Sequence, residues 1–371
     1  MTKLNSWELI LSWKDTTQYF YKFELLEIST TCKLIRQKLK PVIFHELDFT
    51  WFPPHFDDNE GSDNEKSDED LLIEQMLPIS KFLKSLSIGA EFNFNYLITL
   101  LPLITQLEYL QIFGTTLEFE QITHVLNKLN QLKCLKLNSC KIAFFSINNE
   151  IDMKIDLPKS LTGLHIEKCY YIKSASEFDP LLSRYDFDEN TTTRHCFGLK
   201  PELFPKLTQF TYDSKLDESS TLDFSRLNSI TNLKLLNLGP ASIRFANSFT
   251  LACPNLTQLS LHYHSQLEPN YNQLLDQLSI LTKLTLIGYK GNMSLIRTGL
   301  KLDKVKHLYL TRFYIDQINL EKFEEFKLLE SVVIRYSYIE DELEELIETY
   351  YKQFTNWKCR FMRDFIKCTK L

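Results

Sequence analysis

Few residues of this chain are spaced for chemistry. HYH sets His262 and His264 two apart, on one face of any strand and close enough to chelate a metal ion. Chelation needs a third ligand, and nothing nearby in sequence supplies one, so a solvent-facing pair is the expectation. DDNEGSDNEKSDED (57–70) carries eight carboxylates and one Lys. With Gly61 in the obligatory sixth place of a calcium loop, the first ligand would be Phe56, which has no oxygen to give. His195-Cys196 sets an imidazole beside a thiol, and a lone pair of that kind does not define a nucleophile. GxSxG, HExxH and P-loop patterns do not occur. The closing CTKL has Cys368 where a prenylation signal would have it, but Lys370 fills a slot that favours aliphatic residues. Ser62 and Ser67 each have a carboxylate three residues on, the setting an acidophilic kinase prefers. A phosphate there would add about 1.5 to 2 negative charges. These two serines are the regulatory candidates. No catalytic residue, metal site or cofactor is expected.

Composition points the same way. The chain has 371 residues, 44% of them apolar, so a large core is affordable. Only 9 are Gly, which disfavours phosphate-cradling loops and hairpin-rich sheets. The net charge is −6, and a phosphate-binding surface would need a Lys/Arg excess, so nucleic acid is not an expected partner. The acidic run alone carries −7, which leaves the remainder near neutral. Eight cysteines are scattered without CxxC pairs, the pattern of reduced cytoplasmic or nuclear thiols. The most apolar window, 96–113, is interrupted by Pro102, Gln106 and Glu108, so no membrane span is expected.

The elements that would position any surface come from a repeat. Hexamers of Leu-x-x-Leu-x-Leu type begin at 83, 107, 132, 161, 207, 233, 256, 281, 305 and 329. Their start-to-start intervals are 24, 25, 29, 46, 26, 23, 25, 24 and 24. The 46 is near two periods, so 170–206 either hides a degenerate repeat or is an inserted loop. FHELDF (44–49) fits the hexamer loosely and reads as a first strand. This pattern resembles the leucine-rich repeat, over about three quarters of the chain. Two repeats reach that family's Asn/Cys position, LKCLKLNSC at Cys140 and LTGLHIEKC at Cys169. The expected fold is an α/β leucine-rich-repeat solenoid. Short parallel strands turn their alternate residues inward, and helical or irregular segments such as 119–131 return along the other side. YIEDELEELIETYYKQF (338–354) reads as an amphipathic capping helix.

Ahead of the array, 4–13, 20–29 and 29–39 read as three short helices, the third capped by Ser29 or Thr30 and ended by Pro41. ISTTCKLIR followed by KPVIFHELDF resembles the end of an F-box. Ile28, Ser29, Cys32, Lys33 and Arg36 match its helix, and Pro41, Phe44 and Leu47 match its exit. Thr30, Thr31, Leu34 and Leu4-Asn5 depart from it. The resemblance implies a non-catalytic substrate adaptor. Its helices would dock on a Skp-family linker subunit of a cullin-type ubiquitin ligase, and the repeats would hold a protein substrate. The linker contacts it implies are Leu4, Trp7, Leu9, Ile10, Leu25, Ile28, Cys32 and Ile35.

If the array forms, odd strand positions point into its concave face, where a substrate would be held. They make a mixed surface that includes Tyr109, Phe113, Lys136, His165, Asp213, His262, Tyr309 and Arg335, with Gln111, Asn138, Glu167, Asn237 and Lys283 beside them. That mixture suits a protein partner rather than a phosphate polymer. The expected organisation is an F-box-like unit (1–43), a first strand and cap (44–56), an acidic disordered loop (57–70), the array (71–337), and a capping helix with tail (338–371). The protein is expected to be a monomer outside its complex, in the cytoplasm or nucleus. The alternative is a leucine-rich-repeat scaffold or regulator with no ubiquitin link.

Overall fold

A computed structural model describes residues 21–31, 33–50, 68–145, 157–174, 205–213, 227–236, 252–263, 268–288, 299–314, 318–335, 341–362 and 364–371. The chain forms two compact units, Met1–Leu161 with Cys169–Arg194, and Thr162–Lys168 with His195–Leu371.

The first unit opens with two helices, α1 (Lys22–Thr31) and α2 (Lys33–Ile43). They are joined by their apolar sides: Leu25, Ile35, Leu39 and Ile43 are buried together, with Ile28 and Phe44 packed against them. The polar run Ser29-Thr30-Thr31 ends α1. Its three hydroxyls donate to the carbonyls of Leu26, Glu27 and Ile28, at 2.6, 2.6 and 2.7 Å. These i to i−3 bonds offer the backbone a local alternative to continuing the helix. The helix boundaries therefore fall two to four residues later than the sequence suggested, and Ser29 closes one helix instead of opening the next. Pro41 does not end α2, which continues to Ile43. A proline in the last turn forgoes one amide bond there, and the Phe44 amide still reaches the Lys40 carbonyl at 3.0 Å.

Strand β1 (Glu46–Phe49) follows at once. It pairs in parallel with β2 (Ser85–Ile88), which pairs with β3 (Tyr109–Phe113), which pairs with β5 (Cys134–Asn138). Between β1 and β2 lies α3 (Asp68–Met76), so Glu69 and Asp70, which end the acidic run, sit in the first turn of a helix. Carboxylates are favourable there, because the helix dipole is positive at that end. The run ahead of Asp68 lies outside the described residues. Helices α4 (Phe94–Leu100) and α5 (Phe119–Lys128) fill two return segments, and α5 buries Ile122, Val125 and Leu126. A second, smaller parallel sheet runs β4 (Thr116–Glu118), β6 (Lys141–Phe145), β8 (Tyr170–Ser174).

The second unit continues the same logic with β7 (Gly163–Glu167), β9 (Gln209–Asp213), β10 (Asn232–Leu236), β11 (Gln258–Tyr263), β12 (Lys283–Gly288), β13 (His307–Thr311) and β14 (Ser331–Arg335), each parallel to the next. Helix α6 (Glu268–Gln277) lies between β11 and β12. In both units the second and fourth residues of each strand form continuous apolar rows. One such row is Leu47, Leu86, Leu110 and Leu135; another is Leu233, Leu259, Leu284, Leu308 and Val332. Apart from Leu47, each of these side chains is buried at or near zero exposure. Alternation with period two places them all on one face. The fold is a leucine-rich-repeat solenoid.

Register settles one open reading of the repeat and corrects another. Gly163 pairs with Gln209, so the strands on either side of the long interval are neighbours. The interval of 46 is therefore one repeat with an insertion, and among the described residues no further strand enters the ladder there. Leu233 pairs with Phe210 and Leu259, which makes ITNLKL from Ile230 the true hexamer, three residues ahead of LKLLNL. Leu236, not Asn237, thereby stands opposite Asp213.

The array ends differently from its interior. After α7 (Asp341–Lys352), the tail forms β15 (Trp357–Phe361) and β16 (Phe365–Lys370). β16 pairs antiparallel with β14, and β15 pairs antiparallel with β16. The last element of the sheet is thus a hairpin, beside which α7 packs Tyr351 against Phe354 and Phe361. Among the described residues no helix is long and apolar enough to cross a membrane.

Candidate binding surface

The surface is built by the residue that precedes each strand and by the strand's odd positions. The preceding residue fixes the spacing. Its carbonyl accepts two amides from the next repeat: His45 from Lys84 and Ser85, Lys84 from Glu108 and Tyr109, Thr231 from Thr257 and Gln258, Thr257 from Thr282 and Lys283. This shared acceptor repeats through both units and holds successive strands in one register. At the other end of the strands, Gly114, Ser139, Lys168 and Arg312 each stand one residue past a strand with φ of 68°, 56°, 54° and 64°. A left-handed residue there turns the chain away from the sheet. Beyond the corner, the buried Cys140 thiol reaches the Ile112 carbonyl at 3.4 Å. Backbones come close at this edge. A Cβ on Gly89 would lie 2.1 Å from the Thr50 carbonyl oxygen, and one on Gly288 would lie 2.3 Å from that of Arg312.

In the first unit the outward positions form one connected patch. The Tyr109 hydroxyl donates to Gln111 Oε1 at 2.8 Å, and Lys136 Nζ stands 5.1 Å from the centre of the Tyr109 ring. Phe113 and Asn138 pair in the next outward row and are half-buried. Just before the strands, Glu108 lies between Lys84 at 3.3 Å and Lys133 at 2.5 Å. Hydrogen bonding to Lys133 holds its carboxyl below the usual Glu range, against a smaller opposing effect of burial.

In the second unit the outward residues fall into separate pairs. His165 Nδ1 lies 2.7 Å from Thr211 Oγ1, and His307 Nδ1 lies 3.0 Å from Ser331 Oγ. Lys283 Nζ stands 4.4 Å from the centre of the Tyr309 ring, so both units carry a lysine over a tyrosine of an adjacent strand. His262 is half-buried on β11, and Arg335 is exposed at the end of β14. His264 lies outside the described residues. Among the described residues no group of three or more His, Cys, Asp or Glu side chains is placed to hold a metal ion.

Asp213 departs from the expected surface. It is 2% exposed and accepts the Lys168 amide at 3.2 Å on Oδ2. It braces the left-handed corner after β7, so its carboxylate serves the fold and is not presented to a partner. The helical candidates also divide. Leu25 and Ile35 are buried at 3% and 9%, and Ile28 packs against the same cluster, so these three hold α1 to α2. Exposed here are Tyr21, just ahead of α1, and Phe23 and Leu26 on it, at 70%, 61% and 51%, with the Tyr21 and Phe23 rings stacked 5.7 Å apart. The helical period singled out an apolar stripe here but not which side of it would be buried. Leu4, Trp7, Leu9, Ile10, Cys32, Ser62 and Ser67 lie outside the described residues.

No protein-family model matches the sequence, and no curated protein matches it. Solved structures are similar at low identity. A TLR13–ssRNA13 complex shows 16% identity over 67% of this chain and 32% of that chain, with a TM-score of 0.35. An internalin (inlF) from Listeria monocytogenes shows 15% identity over 72% of this chain and 71% of that one, with a TM-score of 0.28. The Rad7 and Elc1 complex in yeast shows 13% identity over 88% of this chain and 89% of that one, with a TM-score of 0.32. The chain thus spans about a third of the length of the first of these. Its own parallel ladder, register and buried leucine rows carry the fold assignment.

Proposed function

We propose that the protein is a non-catalytic substrate adaptor of the cytoplasm or nucleus. In this reading the α1–α2 pair docks on a Skp-family linker subunit of a cullin-type ubiquitin ligase, and the outward strand positions hold a protein substrate. One observation carries the docking half. Three large apolar side chains at the start of α1, Tyr21 just ahead of it and Phe23 and Leu26 on it, are exposed and take no part in the cluster that binds it to α2. Large apolar groups exposed together are the usual mark of a contact surface. They lie just ahead of the Ile28–Arg36 stretch that resembles the F-box. The substrate half is supported by the mixture of aromatic and charged outward residues around Tyr109, Lys136, Lys283 and Tyr309.

The test is capture of a purified Skp-family linker by the immobilised full chain. Wild type should retain it. Phe23→Asp combined with Leu26→Asp should abolish capture, while the thermal midpoint moves by no more than about 2 °C, because both side chains are exposed. A wild-type chain that never retains the linker overturns the ligase reading and leaves a repeat scaffold.

A further inference from the structure

Six of the cysteines lie among the described residues. Cys140, Cys169 and Cys253 are buried, and burial pushes the Cys253 thiol up to about 12. Burial also raises Cys134 on β5. The remaining two are arranged differently. Cys359 on β15 and Cys368 on β16 stand directly opposite each other, with Sγ atoms 2.9 Å apart.

The parity of the hairpin decides what such a pair can do. Near the turn, the Met362 amide donates to the Phe365 carbonyl at 2.9 Å; at the open end, the Leu371 amide donates to the Asn356 carbonyl at 3.0 Å. Hydrogen-bonded and non-hydrogen-bonded pairs alternate along an antiparallel ladder. Counting inward from either end puts Arg360–Lys367 and Lys358–Thr369 at bonded positions, and Cys359–Cys368 between them at a non-bonded one. At such positions the Cα atoms approach to about 4.5 Å and the side chains are closest. That separation lies within the span a disulfide bridges.

Access to the pair is unequal. Cys368 is fully buried, while Cys359 is partly exposed on the strand at the sheet's edge. The hydrogen bond with Cys368 lowers the Cys359 thiol below its ordinary value, with burial opposing, and the same bond together with burial raises Cys368. The accessible sulfur is therefore the readier nucleophile, and the enclosed one is placed to resolve what it forms.

We propose that Cys359 and Cys368 are a reversible modification site, a cross-strand disulfide formed by exchange with a low-molecular-weight disulfide such as glutathione disulfide. The Cys359 thiolate attacks one sulfur of that reagent, a new S–S bond forms, the reagent's own S–S bond breaks and one small thiolate leaves. Cys368 then loses its proton to solvent and its thiolate attacks Cys359 Sγ, expelling the second small thiolate. Two protein thiols and one disulfide become one protein disulfide and two small thiols, with two electrons passing from protein to reagent. The bond closes a loop of eight intervening residues and ties the edge strand to β16, which is itself bonded to β14.

The test equilibrates the full native chain across ratios of reduced to oxidised glutathione, alkylates the free thiols and maps peptides by mass spectrometry. The linked Cys359–Cys368 peptide should accumulate as the oxidised share rises and disappear with dithiothreitol. In the linked form, β15 amides should exchange with deuterium at least tenfold more slowly. Cys359→Ser, at the partly exposed position, should keep the native thermal melt, form no linkage and leave Cys368 unalkylated until denaturation. The proposal is overturned by a stable glutathione adduct on Cys359, by linkage to any other cysteine, or by free thiols at the most oxidising ratio in a chain with a native melt.

Discussion

In the first unit the residues just before the strands include Lys84, Glu108 and Lys133; in the second they include Thr162, Thr208, Thr231, Thr257 and Thr282. The backbone does the same thing in both places: the carbonyls of Lys84 and Glu108, like those of the five threonines, each receive two amides from the following repeat. The side chains solve the remaining problem differently. In the first unit a carboxylate sits between two ammonium groups that are 28% and 59% exposed, a pairing that water and salt weaken. In the second, each threonine hydroxyl donates to the carbonyl of the threonine before it: Thr208 to Thr162 at 3.2 Å, Thr231 to Thr208 at 3.4 Å, Thr257 to Thr231 at 3.1 Å and Thr282 to Thr257 at 3.3 Å. A threonine orders little side chain for its bond and carries no charge to screen. The difference teaches that register in this array is set by the carbonyl, and that side chains there are interchangeable reinforcements.

If that is right, the buried rows of both units should respond alike and dominate. Leu110→Ala and Leu284→Ala should each cost about 2–5 kcal/mol in urea unfolding, because each side chain is fully buried. Costs that differ by more than that range would break the equivalence of the two stacks. Next in size is the threonine ladder. Thr257→Val should cost about 1 kcal/mol, the net worth of one hydrogen bond, and the loss should be the same at low and high salt. A strong salt dependence would show that the hydroxyl is not the relevant group. The smallest effect belongs to Glu108→Gln, about 0.2–1 kcal/mol at neutral pH and low salt, shrinking toward zero at about 1 M salt. Its pH dependence has a definite sign. Because the folded carboxyl is held below its ordinary value of 4.5, the wild-type advantage is complete above that pH and lost as pH falls through the folded value. An advantage that grew on acidification would contradict the ion pair.

The same comparison shows what the sequence could reveal. Threonine in LTG, LTQ, ITN, LTQ and LTK marks the second hexamer position in five repeats, a regularity the sequence carries but whose hydrogen bonds only the fold reveals. It also settles the one misplaced hexamer. The run LKLLNL is rich enough in leucine to fit two phases, and Thr231, bonded to the Thr208 carbonyl, agrees with the strand register in fixing the phase at Ile230. The terminal hairpin was missed for the opposite reason. WKCRF and FIKCTK contain no Leu-x-x-Leu-x-Leu, so a search tuned to the repeat passes over them, although their alternation of apolar and polar residues is that of strands. Among the candidate surface residues, alternation correctly assigns Tyr109, Lys136, His165 and Tyr309 to the outward rows. It fails at Asp213 because exposure there is decided by the Lys168 corner, 45 residues away in sequence. On α1, the helical period marks Leu25 and Ile28 as apolar but cannot say that α2, and not a partner, covers them.

The joint between α2 and β1 has a mechanical consequence. Only Phe44 and His45 separate the helix from the strand, and the His45 carbonyl holds the amides of Lys84 and Ser85 at 2.9 and 3.0 Å. Tension applied to the helices enters β1 along its length and loads its bonds to β2 together, in shear, not one after another as in unzipping. A pull on this end of the chain therefore meets the first pair of strands as a single mechanical element, and the helices should give way before that pair does.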